Sequence, residues 1–195
     1  MLGDAATLRM VDCSACRGGK LSYSLSPGSG TRPGMQAGLS SLHIRRFRKG
    51  DGHQCSMMLT ASFAWYFRLK DSEWLRNKFS AASISSEAKR GISLVAIDAG
   101  RVIGYCHASI SDYGAAYIST VGVSPDERKR GAGAMLLKEL EEICRKNGVR
   151  KMWLMVTHVN REAISFYRRH GYRKEGMIRD LTTEGAHEII MSRHL

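Results

Sequence analysis

Residues 121–137, VGVSPDERKRGAGAMLL, restrict the fold of this chain more than any other stretch. An apolar, strand-like run ends near Val123, a basic loop follows, and an apolar helix begins at about Gly133. Gly131 and Gly133 remove Cβ atoms where an anion would approach main-chain N–H groups. The start of the helix adds unpaired N–H donors and the positive end of its dipole. Together these make a cradle for a pyrophosphate. A Walker loop requires Gly-Lys-Ser/Thr after the last glycine, whereas Gly133 is followed by Ala134 and Met135. A dinucleotide fingerprint requires a third glycine at Leu136 and an acidic ribose ligand near residue 150, where the chain reads Arg150-Lys151. Neither fits. On these residues alone, a glycine-containing turn with a solvated basic face remains the alternative.

The pattern around this stretch is orderly from Leu42 onward. Residues 42–47 read as a strand, and Asp51 as the cap of a helix with Cys55, Met58, Leu59, Phe63, Tyr66 and Phe67 on its apolar stripe. Residues 72–82 read as a second, short helix. Strand-like runs at 92–97, 101–110 and 116–123 are separated by Asp98-Ala99-Gly100 and Asp112-Tyr113-Gly114, which predicts an antiparallel meander. Residues 133–146 form a helix with Leu136, Leu137, Leu140, Ile143 and Cys144 on one face and a stop at Asn147-Gly148. A strand at 151–157, a helix from Asn160 to Gly171, and strands at 172–176 and 187–191 complete the order. The class is α+β, because helices and strands do not alternate strictly.

Residues 1–40 are rich in Gly, Ser and Ala without an apolar period, and read as a flexible, disordered leader. Asp4, Asp12 and the missing apolar core of a signal peptide argue against secretion, and a transit peptide is only weakly supported. The net charge of +12 calls for an anionic partner, which a nucleic acid, a membrane surface or a polyphosphate cofactor would satisfy. No zinc-finger spacing, basic zipper or RNA-recognition signature is present, so direct nucleic-acid binding is not expected. No apolar run approaches the roughly 18 residues of a membrane span, so no membrane association is expected. Five cysteines make no even disulfide framework, which favours a reducing compartment and a cytoplasmic location. Cys13 and Cys16 lack a second ligand pair, so no metal is expected. Cys144 belongs to the core.

The run Arg128-Lys129-Arg130-Gly131-Ala132-Gly133 resembles the cofactor loop of the GNAT superfamily of N-acetyltransferases, Arg/Gln-x-x-Gly-x-Gly/Ala, and lies between a strand and a helix as it does there. Residues 160–172, NREAISFYRRHGY, resemble that family's second motif, Asn-x-x-Ala-x-x-x-Tyr followed by Gly-Phe/Tyr. The likeness covers residues 42–195. It implies a mixed, splayed central sheet of about seven strands flanked by about four helices, with 41–195 as the acetyltransferase domain. It also implies acetyl-coenzyme A as cosubstrate and a primary amine as acceptor. By the same resemblance, Arg128, Lys129, Arg130, Gly131, Ala132 and Gly133 hold the pyrophosphate. The main chain of Val121, Gly122 and Val123 meets the pantetheine amides, Asn160 bonds that arm, Ala163 leaves it room, and Tyr167 is the general acid. On helical spacing alone, Asn160 is a plain N-cap and Tyr167 a core residue.

The resemblance fails at the general base. Met155 and Tyr117 stand where relatives carry glutamates, and Asp180-Leu181 where protein N-terminal acetyltransferases carry paired tyrosines. His158, Glu184, His187 and Glu188 are the remaining candidates, each with an exposed or structural role expected. An α-amine, with a pKa of about 7.7–8.0, is partly neutral at pH 7 and lysine, at about 10.4, is not. Without a base, a protein N-terminus is therefore the expected acceptor. A small-molecule amine, or a non-catalytic coenzyme A-binding module, are the alternatives. Monomer and homodimer both stay open.

Overall fold

In the computed structural model, which describes residues 41–68 and 72–195, the apolar alternation of the strands sorts side chains onto two faces of one sheet. The strands are β1 (His43–Arg46), β2 (Ile92–Asp98), β3 (Arg101–Ile110), β4 (Ala115–Val123), β5 (Lys151–Thr157), β6 (Arg173–Thr183) and β7 (Ala186–His194). They form a seven-stranded sheet in the order β1-β2-β3-β4-β5-β7-β6. Every neighbouring pair is antiparallel except β4 and β5, which run parallel. Helices α1 (Gly52–Ser62), α2 (Ser72–Lys78) and α3 (Ala81–Glu87) pack on one face, α4 (Ala132–Lys146) and α5 (Arg161–Arg169) on the other. β2 shows the sorting most directly: Leu94 and Ala96 join the α4–α5 core, Val95 and Ile97 the α1–α3 core. The expected α+β class and mixed sheet are what the chain adopts. Among the described residues, no helix is long and apolar enough to cross a membrane.

Four expectations need correction. The segment read as one helix over 72–82 is two, because Ser80 has extended backbone and its hydroxyl accepts from Ser83 N at 3.2 Å, capping α3. The stripe that begins at Cys55 does not continue as one helix through Tyr66: α1 stops at Ser62, and a 3₁₀ segment, Ala64–Arg68, follows. Asp51 does not cap α1 with its side chain. Its carboxylate instead takes both Arg45 guanidinium nitrogens, at 2.7 and 2.8 Å, and Arg48 N at 2.6 Å, which ties β1 to the turn before α1. The last two strands are longer than the sequence suggests, since β6 is an edge strand, exposed along nearly its whole length and so without an apolar period. Expectations for residues 1–40, Cys13 and Cys16 included, lie outside the described residues.

α4 anchors the sheet from below the loop that precedes it. Leu136, Leu137, Leu140 and Cys144 are fully buried, and Ile143 is half-buried at the margin. The same helix buries a carboxylate that apolar periodicity does not foresee. Glu141 takes Arg193 Nη1 at 3.0 and 2.9 Å, and Arg193 also donates to the His170 carbonyl at 2.8 Å. Burial pushes the Glu141 carboxyl pKa up, and Arg193 opposes that shift. The pair thus links α4, β7 and the end of α5. Leu140→Ala should destabilise the domain by about 2–5 kcal/mol, read as a lower denaturation midpoint, whereas Lys138→Ala on the exposed face should leave it unchanged.

Candidate functional site

The site begins with a strand pair that comes apart. β4 and β5 pair from Ala115–Lys151 to Ile118–Leu154 and no further. Beyond that point β4 pairs only with β3 and β5 only with β7. The parting coincides with a bulge: Ile118 faces Ala108 and Thr120 faces His107, leaving Ser119 as the extra residue. A bulge bends its strand and strengthens the local twist. Ser119 Oγ donates to Glu87 Oε1 of α3 at 2.9 Å, which fixes the bulged residue. Ile118 and Val121, three positions apart, consequently both pack toward the α4–α5 core.

The opening leads to two depressions. One, of about 790 Å³, lies on the α4–α5 side between β4, the loop before α4, and the start of α5. The other, of about 320 Å³, lies on the α1–α3 side. Both are lined by Phe63, Trp65, Val121, Asn160, Ala163 and Tyr167, so they meet where the strands part.

The larger depression gathers nearly all the residues expected to hold the cofactor: Val121, Gly122, Val123, Arg128, Lys129, Gly131, Ala132, Gly133 and Asn160. The backbone of the loop is left-handed at Lys129, with φ 62°, and at Gly131, with φ 90°. Only the second is a residue that adopts such a conformation freely. None of the backbone N–H groups from Lys129 to Ala134 meets a protein acceptor among the described residues; the first paired one is Met135 N, to Gly131 O at 3.0 Å. A row of unpaired donors at the start of a fifteen-residue helix fits an anionic phosphate group. The chemistry of the loop therefore suits the pyrophosphate that its sequence suggested.

The basic side chains are less free than the sequence implied. Arg130 is absent from the lining; it pairs with Glu127 and, at 3.1 Å, with Asp98 outside the cleft. Arg128 bridges two walls, donating to the Ser62 carbonyl at 3.1 Å and lying 3.6 Å from Glu162. Lys129 is the cation of the run without an ion-pair partner among the described residues. Ser62, not foreseen from the sequence, is a junction: its hydroxyl donates to the Val123 carbonyl at 2.7 Å. Gly122 has a packing reason to be glycine, since a Cβ there would lie 2.6 Å from Leu59 of α1.

Asn160 does cap α5, accepting from Ala163 N at 3.1 Å through Oδ1. Its amide nitrogen, a donor, is left toward the cleft it lines. Tyr167 is buried, with Phe166 and Tyr172 edge-on at ring distances of 5.2 and 5.6 Å. Burial drives its phenol pKa well above the ordinary tyrosine value. The hydroxyl has no hydrogen-bond partner among the described residues, and the residue lines both depressions, so a protonated donor stands at their junction.

The smaller depression is walled by aromatic side chains, Trp65, Tyr66, Trp74 and Tyr117 among them. Tyr117 stacks against Trp153 at 4.5 Å, and burial, then Glu188, raises its pKa. Met155 also lines this cavity, as does Glu188, which is buried. Among the other base candidates, Glu184 is exposed in the β6–β7 turn. His158 and His187 stack on each other at 4.9 Å and line neither depression. Among the described residues, no group of His, Cys, Asp and Glu is arranged to hold a metal ion.

Comparison with known proteins agrees with this architecture. Residues 57–172 match the acetyltransferase (GNAT) family. The chain is 33% identical over 106 residues to streptothricin acetyltransferase of Streptomyces lavendulae, across 51% of this chain and 56% of that protein, so it spans little more than half that relative's length. It is 29% identical over 139 residues to an uncharacterized N-acetyltransferase of Bacillus subtilis, YhfO, across 69% of this chain and 91% of the other. The crystal structure of the PaiA N-acetyltransferase from Thermoplasma acidophilum, in complex with coenzyme A, superposes with a TM-score of 0.69 at 26% identity, covering 80% of this chain and 99% of that one. With a family match over more than half its residues, and the parted strands, glycine loop and Asn160–Tyr167 helix in one cleft, the chain belongs to the acetyltransferase (GNAT) family.

Proposed function

We propose that this chain transfers the acetyl group of acetyl-coenzyme A to a primary amine. One observation carries the proposal: unpaired N–H donors, the unpaired edge of β4 and the Tyr167 hydroxyl all border one cleft. The cosubstrate's pyrophosphate fits the Lys129–Ala134 amides, with Lys129 supplying charge. Its pantetheine arm would lie strand-like beside Val121, Gly122 and Val123, within reach of the Asn160 amide nitrogen. Arg128 and Arg130 serve this site by holding the loop in shape through Ser62, Glu162, Glu127 and Asp98. In the transfer, the amine lone pair forms the new C–N bond, the C–S bond breaks, the departing sulfur takes the Tyr167 proton, and the nitrogen gives up its surplus proton to solvent, which returns one to Tyr167. A main-chain N–H at the opened β4 edge is placed to stabilise the developing oxyanion. Free, buried thiols at Cys55, Cys106 and Cys144 suit a reducing, cytoplasmic setting.

For the acceptor, we favour a small-molecule amine over a protein N-terminus. The α-amine expectation followed from Met155 and Tyr117 replacing carboxylates, yet buried Glu188 borders the same cavity as both. The similarity to a streptothricin acetyltransferase points the same way. The test is release of free thiol from acetyl-coenzyme A with a panel of spermidine, lysine amide, an aminoglycoside, a streptothricin and a peptide with a free N-terminus. Thiol release by small amines is expected; none with any amine, despite cofactor binding, would overturn the transfer reading.

Two substitutions test the cofactor side. Gly131→Val puts a branched side chain on a left-handed backbone and should lower acetyl-coenzyme A affinity at least tenfold, about 1.4 kcal/mol, with the protein still folded and its unfolding temperature lowered by only a few degrees. Unchanged affinity by calorimetry in the folded variant would remove the loop from the site. Tyr167→Phe should keep cofactor affinity and slow turnover by about 10²–10⁴-fold; turnover at the native rate would leave Tyr167 a packing residue.

A further inference from the structure

Glu188 is a buried carboxylate with an unusual set of neighbours. It sits on β7 directly across from Thr157 of β5, at the far end of the strand pair that continues past the parting of β4 and β5. Thr157 Oγ1 donates to its Oε1 at 2.9 Å, and Thr182 Oγ1 to the same oxygen at 3.3 Å. Both are neutral hydroxyls. No Lys, Arg or His of the described residues lies within ion-pair distance of it. Only 5% of the residue is exposed, and a charge so buried without a counterion is costly. It borders the 320 Å³ cavity, whose size suits a compact ligand. The other charged side chain bordering that cavity is Lys78 of α2, and its tyrosines are Tyr66, Tyr117 of β4 and Tyr167 of α5. Aromatic side chains, among them Trp65, Tyr66, Trp74 and Tyr117, form about a third of the remaining wall, and aromatic rings can attract cations.

We infer that Glu188 is the catalytic base, and that the acceptor is a compact, cationic primary amine whose nitrogen sits between this carboxylate and the aromatic walls. The inference rests on the transfer proposed above and adds its missing proton acceptor and the class of its substrate. The amine nitrogen bonds the carbonyl carbon, the C–S bond breaks with its electron pair going to sulfur, and sulfur takes a proton from Tyr167. The nitrogen's surplus proton passes to Glu188, and exchange with water restores both groups. Thr157 and Thr182 hold the carboxylate at Oε1 and leave Oε2 for the amine. Before transfer, the same negative charge draws in the acceptor's cationic form; the ammonium proton passes through Glu188 to water, which frees the attacking lone pair and returns the carboxylate to its ionised form for the second proton.

Glu188→Gln keeps the size of the side chain and an oxygen for the two hydroxyls while removing the charge. With the best small amine of the panel above, it should lower kcat/KM at least about a hundredfold, leaving acetyl-coenzyme A affinity and unfolding temperature unchanged. Glu188→Asp, which retains a carboxylate, should recover part of the loss. Undiminished turnover by Glu188→Gln, with the wild type active, would overturn this assignment and leave the transfer reading standing. Activity confined to the free peptide N-terminus would overturn the compact-amine class. Wild type that binds the cofactor yet releases no thiol with any amine would overturn both.

Discussion

Everything distinctive in this molecule follows from two parallel strands that stop pairing partway along. In a sheet, each strand normally spends its N–H and C=O groups on two neighbours. Here β4 keeps one neighbour after Ile118, and so does β5 after Leu154. The bulge at Ser119 supplies the bend, and Glu87 of α3 holds the bulged residue through its hydroxyl. The gap lets one cavity from each face of the sheet reach a common point. Tyr167, from a helix on one face, stands where a residue on the other face can share its surroundings.

The loop before α4 shows how a basic motif divides its labour. What it offers an anion is main-chain amides that the helix cannot pair, at a loop whose Gly131 is left-handed. Two of its three cations are spent within the protein. Arg130 closes onto Glu127 and Asp98, and Arg128 spans from α1 to α5. Such partly exposed ion pairs add little to stability individually, but they set where the amides point. Ser62 joins the same frame by bonding the Val123 carbonyl, so α1, β4 and the loop are mutually fixed.

The smaller depression is built on different chemistry: several of its walls are aromatic, and its buried acid, Glu188, is held by two hydroxyls. Both depressions reach Tyr167, the larger through the basic loop and the smaller through Glu188 and Lys78.

How much of this was legible beforehand depended on the range of the interaction. The apolar strand-like run at residues 92–97, the leucine stripe of α4, the glycine loop and the Asn160–Tyr167 spacing are local, and they determined the α+β class, the strand–loop–helix cradle and the family resemblance. The break at Ser80 and the early end of α1 were misjudged, since an apolar stripe continues through both while backbone capping decides the helix ends. Arg130 turning from the cleft depends on Asp98, thirty-two residues away, and Ser62 meets Val123 across sixty-one. Glu188 could be named as a candidate but not located, because its place in the cavity depends on the register of β7 against β5, and no sequence period reports register between strands. The sequence by itself determined most of the elements and the glycine loop between β4 and α4, because those are properties of consecutive residues. Only the tertiary structure decided which charges remain free and where Glu188 sits, because unpaired groups are defined by partners brought from elsewhere in the chain.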